Sequence, residues 1–296
     1  MKEKPIRLGV VGLDGHGPVF AKEVNSSCDS LGASVVAAMP IPSVMVTPER
    51  LAANEEETRG LGVEIVHDAG ELASKVDGVL ILHDDGSRHL ELFRDFAERG
   101  KPVFVDKPLE SSLAKARELA SLCREHSSPV FSGSALRFCP ETVRARDDQD
   151  NGAVLSVMTH SPFILNATMP GWIYYAIHSV EQLYALMGQG CRQVRCIADD
   201  CGAVAVGTWA EGKTGIARAM KKGPHGYGLT VWREKGVHTS TVEGGTIYGG
   251  LLASIMKFVR TGISPVSIDE SVEVIAFLEA ANESMARDGA PVAVGG

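Results

Sequence analysis

Between Ile6 and Ser132 short apolar runs alternate with stretches of helical character, and this alternation confines the first part of the chain to a sheet linked by crossover helices. The runs are residues 6–11, 34–39, 63–66, 79–82, 103–105 and 129–132. Most are apolar without a break, as expected of parallel strands buried on both faces, rather than alternating apolar with polar. Helical stretches at 19–24, 70–75, 90–99 and 113–126, with a helix or solvated loop at 49–59, fall between or after them, so a doubly wound parallel sheet is predicted over residues 1–133.

From residue 134 the pattern changes. A strand at 153–159 and a long helix at 172–187 lead into period-two segments at 193–198, 203–209, 216–220, 227–233 and 237–241, with closing helices at 251–260 and 271–287. That order predicts an α+β domain over 134–296 with an open, mainly antiparallel sheet. The alternating row Val204, Val206 and Thr208 would lie on its open face and points to a homo-oligomer.

Composition narrows the function classes. A net charge of −8 with no basic cluster argues against nucleic acid, which needs lysine and arginine gathered on one face. No apolar run reaches the roughly 18 residues that span a bilayer. Met1-Lys2-Glu3-Lys4-Pro5 leads straight into a strand without a signal-peptide core, so a cytoplasmic protein is expected. The six cysteines contain no CxxC pair, and Cys191, Cys196 and Cys201 fall at an odd step of five that would split them between strand faces. All six read as small apolar fillers, and no metal is assigned.

Two stretches carry chemistry. After the first strand comes Gly12-Leu13-Asp14-Gly15-His16-Gly17-Pro18 and then a helix, the setting in which a helix N-terminus meets a dinucleotide pyrophosphate. Gly12 suits the tight turn and Gly17 the close helix packing, but Asp14 stands where a middle glycine lets backbone approach the phosphate. A carboxylate there adds bulk and charge. The second stretch, Val103-Phe104-Val105-Asp106-Lys107-Pro108, is a buried strand stopped by a proline. It puts Lys107 at the C-terminal sheet edge, where ligands of such sheets bind.

With Leu136-Arg137-Phe138 before Pro140, and His178 on the later helix, these motifs resemble the Gfo/Idh/MocA oxidoreductase family over essentially the whole chain. The resemblance implies a Rossmann domain, an open-sheet second domain, NAD or NADP as cofactor, and hydride transfer to or from a carbinol or carbonyl of a sugar, polyol or related small molecule. It assigns Lys107 to the reacting oxygen and His178 to acid–base work. Gly12, Leu13, Asp14, Gly17, Met39, His83, Asp84, Asp106 and Lys107 would border the cofactor.

Departures accompany the resemblance. Asp106 replaces the family's Glu before Lys-Pro. Where the family helix reads Asp-x-Gly-x-His-x-x-Asp, this chain has Tyr174 four residues before His178 and Glu181 three after, so an uncharged tyrosine on the same helix face would assist the histidine. A lone histidine in an apolar helix is also compatible with a satisfied core residue. Met39-Pro40 offers neither the acid that meets a ribose nor the arginine that meets a 2′-phosphate, which leaves NAD against NADP open. His83-Asp84-Asp85 replaces an Ala-Thr-Pro loop, and Asp14, His16, His89 and Asp106 share its sheet edge. Asp85 or Ser87 capping the next helix, with histidines turned to solvent, is the simple reading; a divalent-metal cluster is the sharper one. Arg137, Trp172, Tyr174 and Tyr175 are candidates for a pocket. The alternative to an enzyme is a degenerate member that keeps the fold, has a closed cofactor site, and binds a ligand or partner without redox turnover.

Overall fold

A computed structural model describes residues 4–243 and 247–295; Met1 to Glu3, on which the reading of a leaderless start falls, lie outside them. The chain divides into two compact units, residues 1–110, 114–132 and 252–268 forming the first and 111–113, 133–251 and 269–296 the second. No described helix is long and apolar enough to cross a membrane.

The first unit is built on six parallel strands, β1 (Ile6–Val11), β2 (Ala33–Met39), β3 (Glu64–Ile65), β4 (Gly78–Ile81), β5 (Val103–Val105) and β6 (Val130–Ser132), in the order β3-β2-β1-β4-β5-β6. Every residue of β4, β5 and β6 is buried, as their unbroken apolar sequences require. Helix α1 (His16–Ser26) buries Gly17, Phe20, Ala21 and Val24, one stripe at helical spacing. Phe104 lies 4.9 Å from Phe131 between ring centroids, and Phe131 meets Phe258 edge-on at 5.2 Å. Each such ring removed from water contributes roughly 1.5–3 kcal/mol. Helix α2 (Pro48–Gly60) begins where Thr47 Oγ1 accepts the Arg50 N–H, and α3 (Ala69–Lys75) where Asp68 accepts from Glu71 N. Helices α4 (His89–Ala97) and α5 (Leu113–Glu125) follow β4 and β5.

Strand order reverses between β1 and β4, which makes the crevice outside their C-terminal ends the switch point of the sheet. The glycine-rich turn, the loop after β4 and Asp106-Lys107-Pro108 all emerge at strand C-terminal ends on this edge.

The second unit carries a seven-stranded sheet ordered β12-β11-β7-β10-β9-β8-β13. Its strands are β7 (Val154–Pro162), β8 (Gln193–Asp199), β9 (Gly202–Thr208), β10 (Thr214–Met220), β11 (Tyr227–Arg233), β12 (Gly236–Val242) and β13 (Val292–Ala293). Only the β7–β10 pairing is parallel, so the sheet is mixed but mainly antiparallel. Ala203, Ala205 and Gly207 of β9 are buried while Val204, Val206 and Thr208 between them are half-buried, the strand alternation expected of a sheet covered on one face. A short helix α6 (Pro140–Asp147), absent from the sequence reading, precedes helix α7 (Ile177–Met187); α8 (Ile247–Thr261) and α9 (Ile268–Ala286) close the chain.

Helix α7 starts five residues later than expected. Gly171 adopts φ 61° and residues 171–176 form turns, with Ile173 N–H donating to Pro170 O at 3.3 Å and the side chain of Asn282 on α9 accepting the Trp172 N–H at 2.9 Å. Trp172 itself is fully buried, a core residue and not a pocket wall.

The cysteines also need correction. Cys123, Cys139, Cys191 and Cys196 are buried fillers, but Cys28 and Cys201 are exposed, and all six are free thiols. Burial pushes Cys123 and Cys191 up to about 12 and Cys196 to about 11. A thiol reagent at pH 8 should therefore modify two cysteines in the native protein and six after denaturation; rapid reaction of a third in the native state would contradict this burial.

Candidate functional site

In the first unit, the backbone of the glycine-rich turn is pinned from outside. Gly12 N–H donates to Met39 O at 3.0 Å, and the buried Asn54 amide on α2 donates to Leu13 O at 2.8 Å and Asp14 O at 3.2 Å. Gly12 has φ 92°, and a Cβ there would sit 2.7 Å from the His83 backbone. A Cβ on Gly17 would sit 2.0 Å from Gly12 O, so only glycine lets α1 begin so close to the turn.

Asp14 does not project as expected. Its side chain is fully covered: Ser43 Oγ donates to it at 2.6 Å and Asp84 N–H at 3.1 Å. His83 Nε2 lies 3.6 Å away and 3.3 Å from Pro42 O, and Asp85 N–H donates to His83 Nδ1, which places the ring proton on Nε2. The carboxylate standing at the helix end is that of Asp84, which accepts the His16 N–H of α1 at 3.1 Å. Gly15 makes room for it, because a Cβ there would lie 1.9 Å from Asp84 Oδ2.

Asp106 turns back toward the same helix, its Oδ2 2.5 Å from His16 Nδ1. Burial works against charge on both groups, yet the pairing wins: His16 is held above the ordinary imidazole range, and His16 and Lys107 hold Asp106 far below the usual carboxylate range. Ligand-type atoms of His16, Asp84 and Asp106 lie within 4.8 Å of one another. They form an ion-pair cluster in which His16 Nδ1 is spent on Asp106. The expectation of solvent-facing histidines fails for two of the three. His83 and His89 are buried, and both His89 nitrogens sit against carbonyls, Pro108 O at 2.8 Å and His83 O at 2.7 Å. Asp85 does cap the following turn, accepting from Ser87 N.

Lys107, 5 % exposed, is held on both sides by its neighbours' backbone. Asp106 N–H donates to Ile81 O at 2.9 Å, Asp106 O accepts from Ser132 Oγ, and Pro108 O meets His89; the Lys107–Pro108 peptide is cis.

In the second unit His178 is the second residue of α7. Ser134 Oγ lies 2.7 Å from its Nδ1, and the rings of Tyr175 and Tyr227 meet it edge-on at 5.0 and 5.8 Å. Tyr227 OH donates to Tyr175 OH at 3.1 Å. Tyr174 lies in the turns before α7, so it shares no helix face with His178, and the tyrosine packed on the imidazole is its neighbour Tyr175. Arg137 is no pocket residue: buried, it bonds Glu181 and reaches Glu270 at 2.6 Å. Burial raises the Glu181 carboxyl and Arg137 opposes the rise. Ser134, Tyr227, Ser43 and Asn54 were missed from sequence, because each acts through a partner 29 or more positions away.

Residues 6–134 match the family model described as "Oxidoreductase family, NAD-binding Rossmann fold". The rhizopine catabolism protein MocA of Rhizobium meliloti is 26 % identical over 195 residues, covering 62 % of this chain and 57 % of that protein. Inositol 2-dehydrogenase of Rhizobium meliloti (strain 1021) is 27 % identical over 150 residues, 50 % of this chain and 42 % of that one. Over residues 6–134 the chain matches the Gfo/Idh/MocA family, and it is similar to these members of it. It spans about half the length of these curated relatives in the matched regions. The fold extends further: scyllo-inositol dehydrogenase of Lactobacillus casei, solved with NAD(H) and scyllo-inositol, superposes with TM-score 0.81 over 99 % of this chain and 100 % of that one at 17 % identity. Myo-inositol dehydrogenase of Corynebacterium glutamicum gives 0.81 over 99 % of each at 16 % identity.

The first unit is thus the family's NAD-binding Rossmann fold, and NAD or NADP is its cofactor class. The cradle fits a dinucleotide: Gly12 and Gly17 leave the close approaches that a Cβ would fill, and Asp14 is turned away and met by donors. The helix end already carries an anion, the Asp84 carboxylate, so a diphosphate there displaces it. Burial pushes Asp84 above the usual carboxylate range; His16 pulls it down, Asp14 adds to the rise and Lys107 opposes it. Lower pH neutralises Asp84 and loosens its hold on the helix end. Calorimetry with NADPH and NADH should find binding strengthening as pH is lowered toward the raised range in which Asp84 protonates, and Asp84→Asn binding about tenfold tighter than native at pH 8 with a flatter pH response. An Asp84→Asn protein that binds no tighter than native would remove Asp84 from the cofactor's path.

Proposed function

We propose that this protein is a cytoplasmic NAD(P)-dependent oxidoreductase that moves hydride to or from a carbinol or carbonyl of a small polyhydroxylated substrate, with cyclitols of the inositol type the first to test. The observation that carries the reading is Lys107, a buried lysine with backbone anchored on both sides at the C-terminal edge of β5. The family match over residues 6–134 supports it, and so do relatives and structural neighbours whose names specify inositol dehydrogenases, which favours redox turnover over the non-redox alternative.

A nicotinamide bound here would supply or accept the hydride. Gly12, Leu13 and Gly17 hold its diphosphate through backbone, with Met39, His83 and Asp106 bordering the same crevice. Lys107 donates a hydrogen bond to the reacting oxygen and stabilises the charge that grows there as the C–H bond breaks or forms. His178 meets that oxygen as the acid–base group, with Tyr174 and Tyr175 assisting from the preceding turn.

Absorbance at 340 nm with NAD or NADP against myo-inositol, scyllo-inositol and a panel of sugars checks this. Native protein should turn over at least one of them, with Lys107→Ala and His178→Ala each lowering kcat by roughly 10²–10⁴-fold. Full activity of Lys107→Ala would sink the assignment. We also propose self-association through the open face of the second sheet, where Val204, Val206 and Thr208 are half-buried beside the exposed Ile197. Light scattering should give a mass at least twice 31.5 kDa; a monomer at working concentration contradicts it.

A further inference from the structure

His178 stands where the family places its acid–base imidazole, but the charged partner expected before it is missing, and something else must decide which ring nitrogen carries the proton. The hydrogen bonds of Ser134 decide it. Ser134 is 1 % exposed and sits at the start of the 3-10 turn Ala135–Arg137 with extended backbone, φ −74° and ψ 145°. Its Oγ has two contacts among the described residues: Leu136 N–H, 3.2 Å away, and His178 Nδ1, 2.7 Å away.

Leu136 N–H is a donor and fills a lone pair of the hydroxyl. The Ser134 hydroxyl hydrogen then has one acceptor within reach, His178 Nδ1. Were Nδ1 protonated instead, the buried O–H would lose that acceptor and be left unsatisfied. The neutral ring with its proton on Nε2 satisfies the Ser134 hydroxyl, the Leu136 N–H and His178 Nδ1 together. The surroundings hold that arrangement still: the ring is flanked edge-on by Tyr175 and Tyr227, whose hydroxyls bond each other, and His178 N–H is tied to Tyr175 O at 3.2 Å.

We infer that Ser134 is a positioning residue that fixes His178 as the Nε2–H tautomer, so that the resting imidazole meets the reacting oxygen as a hydrogen-bond donor. The inference rests on the reading above that His178 acts on that oxygen, but its central claim concerns the ring alone and is measured without turnover. Ser134 takes the orienting place that the family pattern gives to the acid four residues before the histidine, and it does so with a hydroxyl, which adds no charge.

The test is long-range ¹H–¹⁵N correlation spectroscopy on uniformly ¹⁵N-labelled full-length protein at neutral pH, with His178→Gln used to assign the ring. Native protein should show a pyridine-type Nδ1 and a pyrrole-type Nε2. Ser134→Ala, checked for native fold by circular dichroism, should lose the single tautomer and show an increased Nδ1–H share. Ser134→Thr, which keeps the hydroxyl, should restore the native signature. A native spectrum with Nδ1 protonated overturns the inference, as does a Ser134→Ala signature identical to native; the first needs no variant and so survives a failure of the alanine protein to fold. If the oxidoreductase reading holds, Ser134→Ala should also lower kcat about tenfold with KM little changed, and Ser134→Thr should recover it. Absence of turnover in native protein with the expected tautomer present would count against the oxidoreductase reading and leave Ser134's action on the ring standing.

Discussion

The free N–H groups that open helix α1 are the constraint around which the first unit is arranged. A helix start carries partial positive charge and unsatisfied donors, and at the switch point of a parallel sheet it faces a crevice that must hold an anion. Here Asp84 supplies that anion from the loop after β4. Its presence orders the neighbours: Gly15 has no side chain because the carboxylate lies there, Asp14 accepts the Asp84 N–H from the other side, and His16 turns its ring down to Asp106. Three carboxylates can share this edge because backbone donors, a serine, an imidazole and Lys107 are distributed among them.

The second unit solves a related problem by different means. Buried Arg137 and Glu181 and half-buried Glu270 form a triad in which one cation faces two carboxylates, and its value lies less in net stability than in how much its disruption would cost, since losing the arginine would strand Glu181 in the interior. Glu181 occupies the second acidic position of the family helix, yet its partner is this arginine. Glu273 acts similarly on a smaller scale, one oxygen accepting from Tyr184 OH and the N–H groups of Gly190 and Cys191, which ties α9 to the start of β8.

What was legible in the sequence was whatever is encoded locally. Apolar runs bounded by Pro and Gly marked β1, β5 and β11 at the residues observed, and period-two alternation identified β9 with its two faces. The direction in which a turn residue points was not legible, because it depends on donors far along the chain: Asp14 turns inward toward Ser43 and the Asp84 N–H, 29 and 70 positions away. Residues 172–176 have helical composition, but they follow Gly171 at φ 61° and close in turns, and the acceptor of the Trp172 N–H is Asn282, 110 positions away. The partner of His178 was hidden for the same reason, lying 44 positions upstream on another element.

The two hydrogen bonds from Asn54 to Leu13 O and Asp14 O have a mechanical meaning. A glycine-rich loop left to itself would be among the softest parts of a domain, yet this one is moored at two successive carbonyls to the middle of a thirteen-residue helix whose own start is capped by Thr47 and Pro48. The stiffness of the glycine-rich turn is thus borrowed from α2, and any loosening of that outer helix, by heat or by an ill-chosen surface substitution, will reach the crevice without touching a residue that lines it.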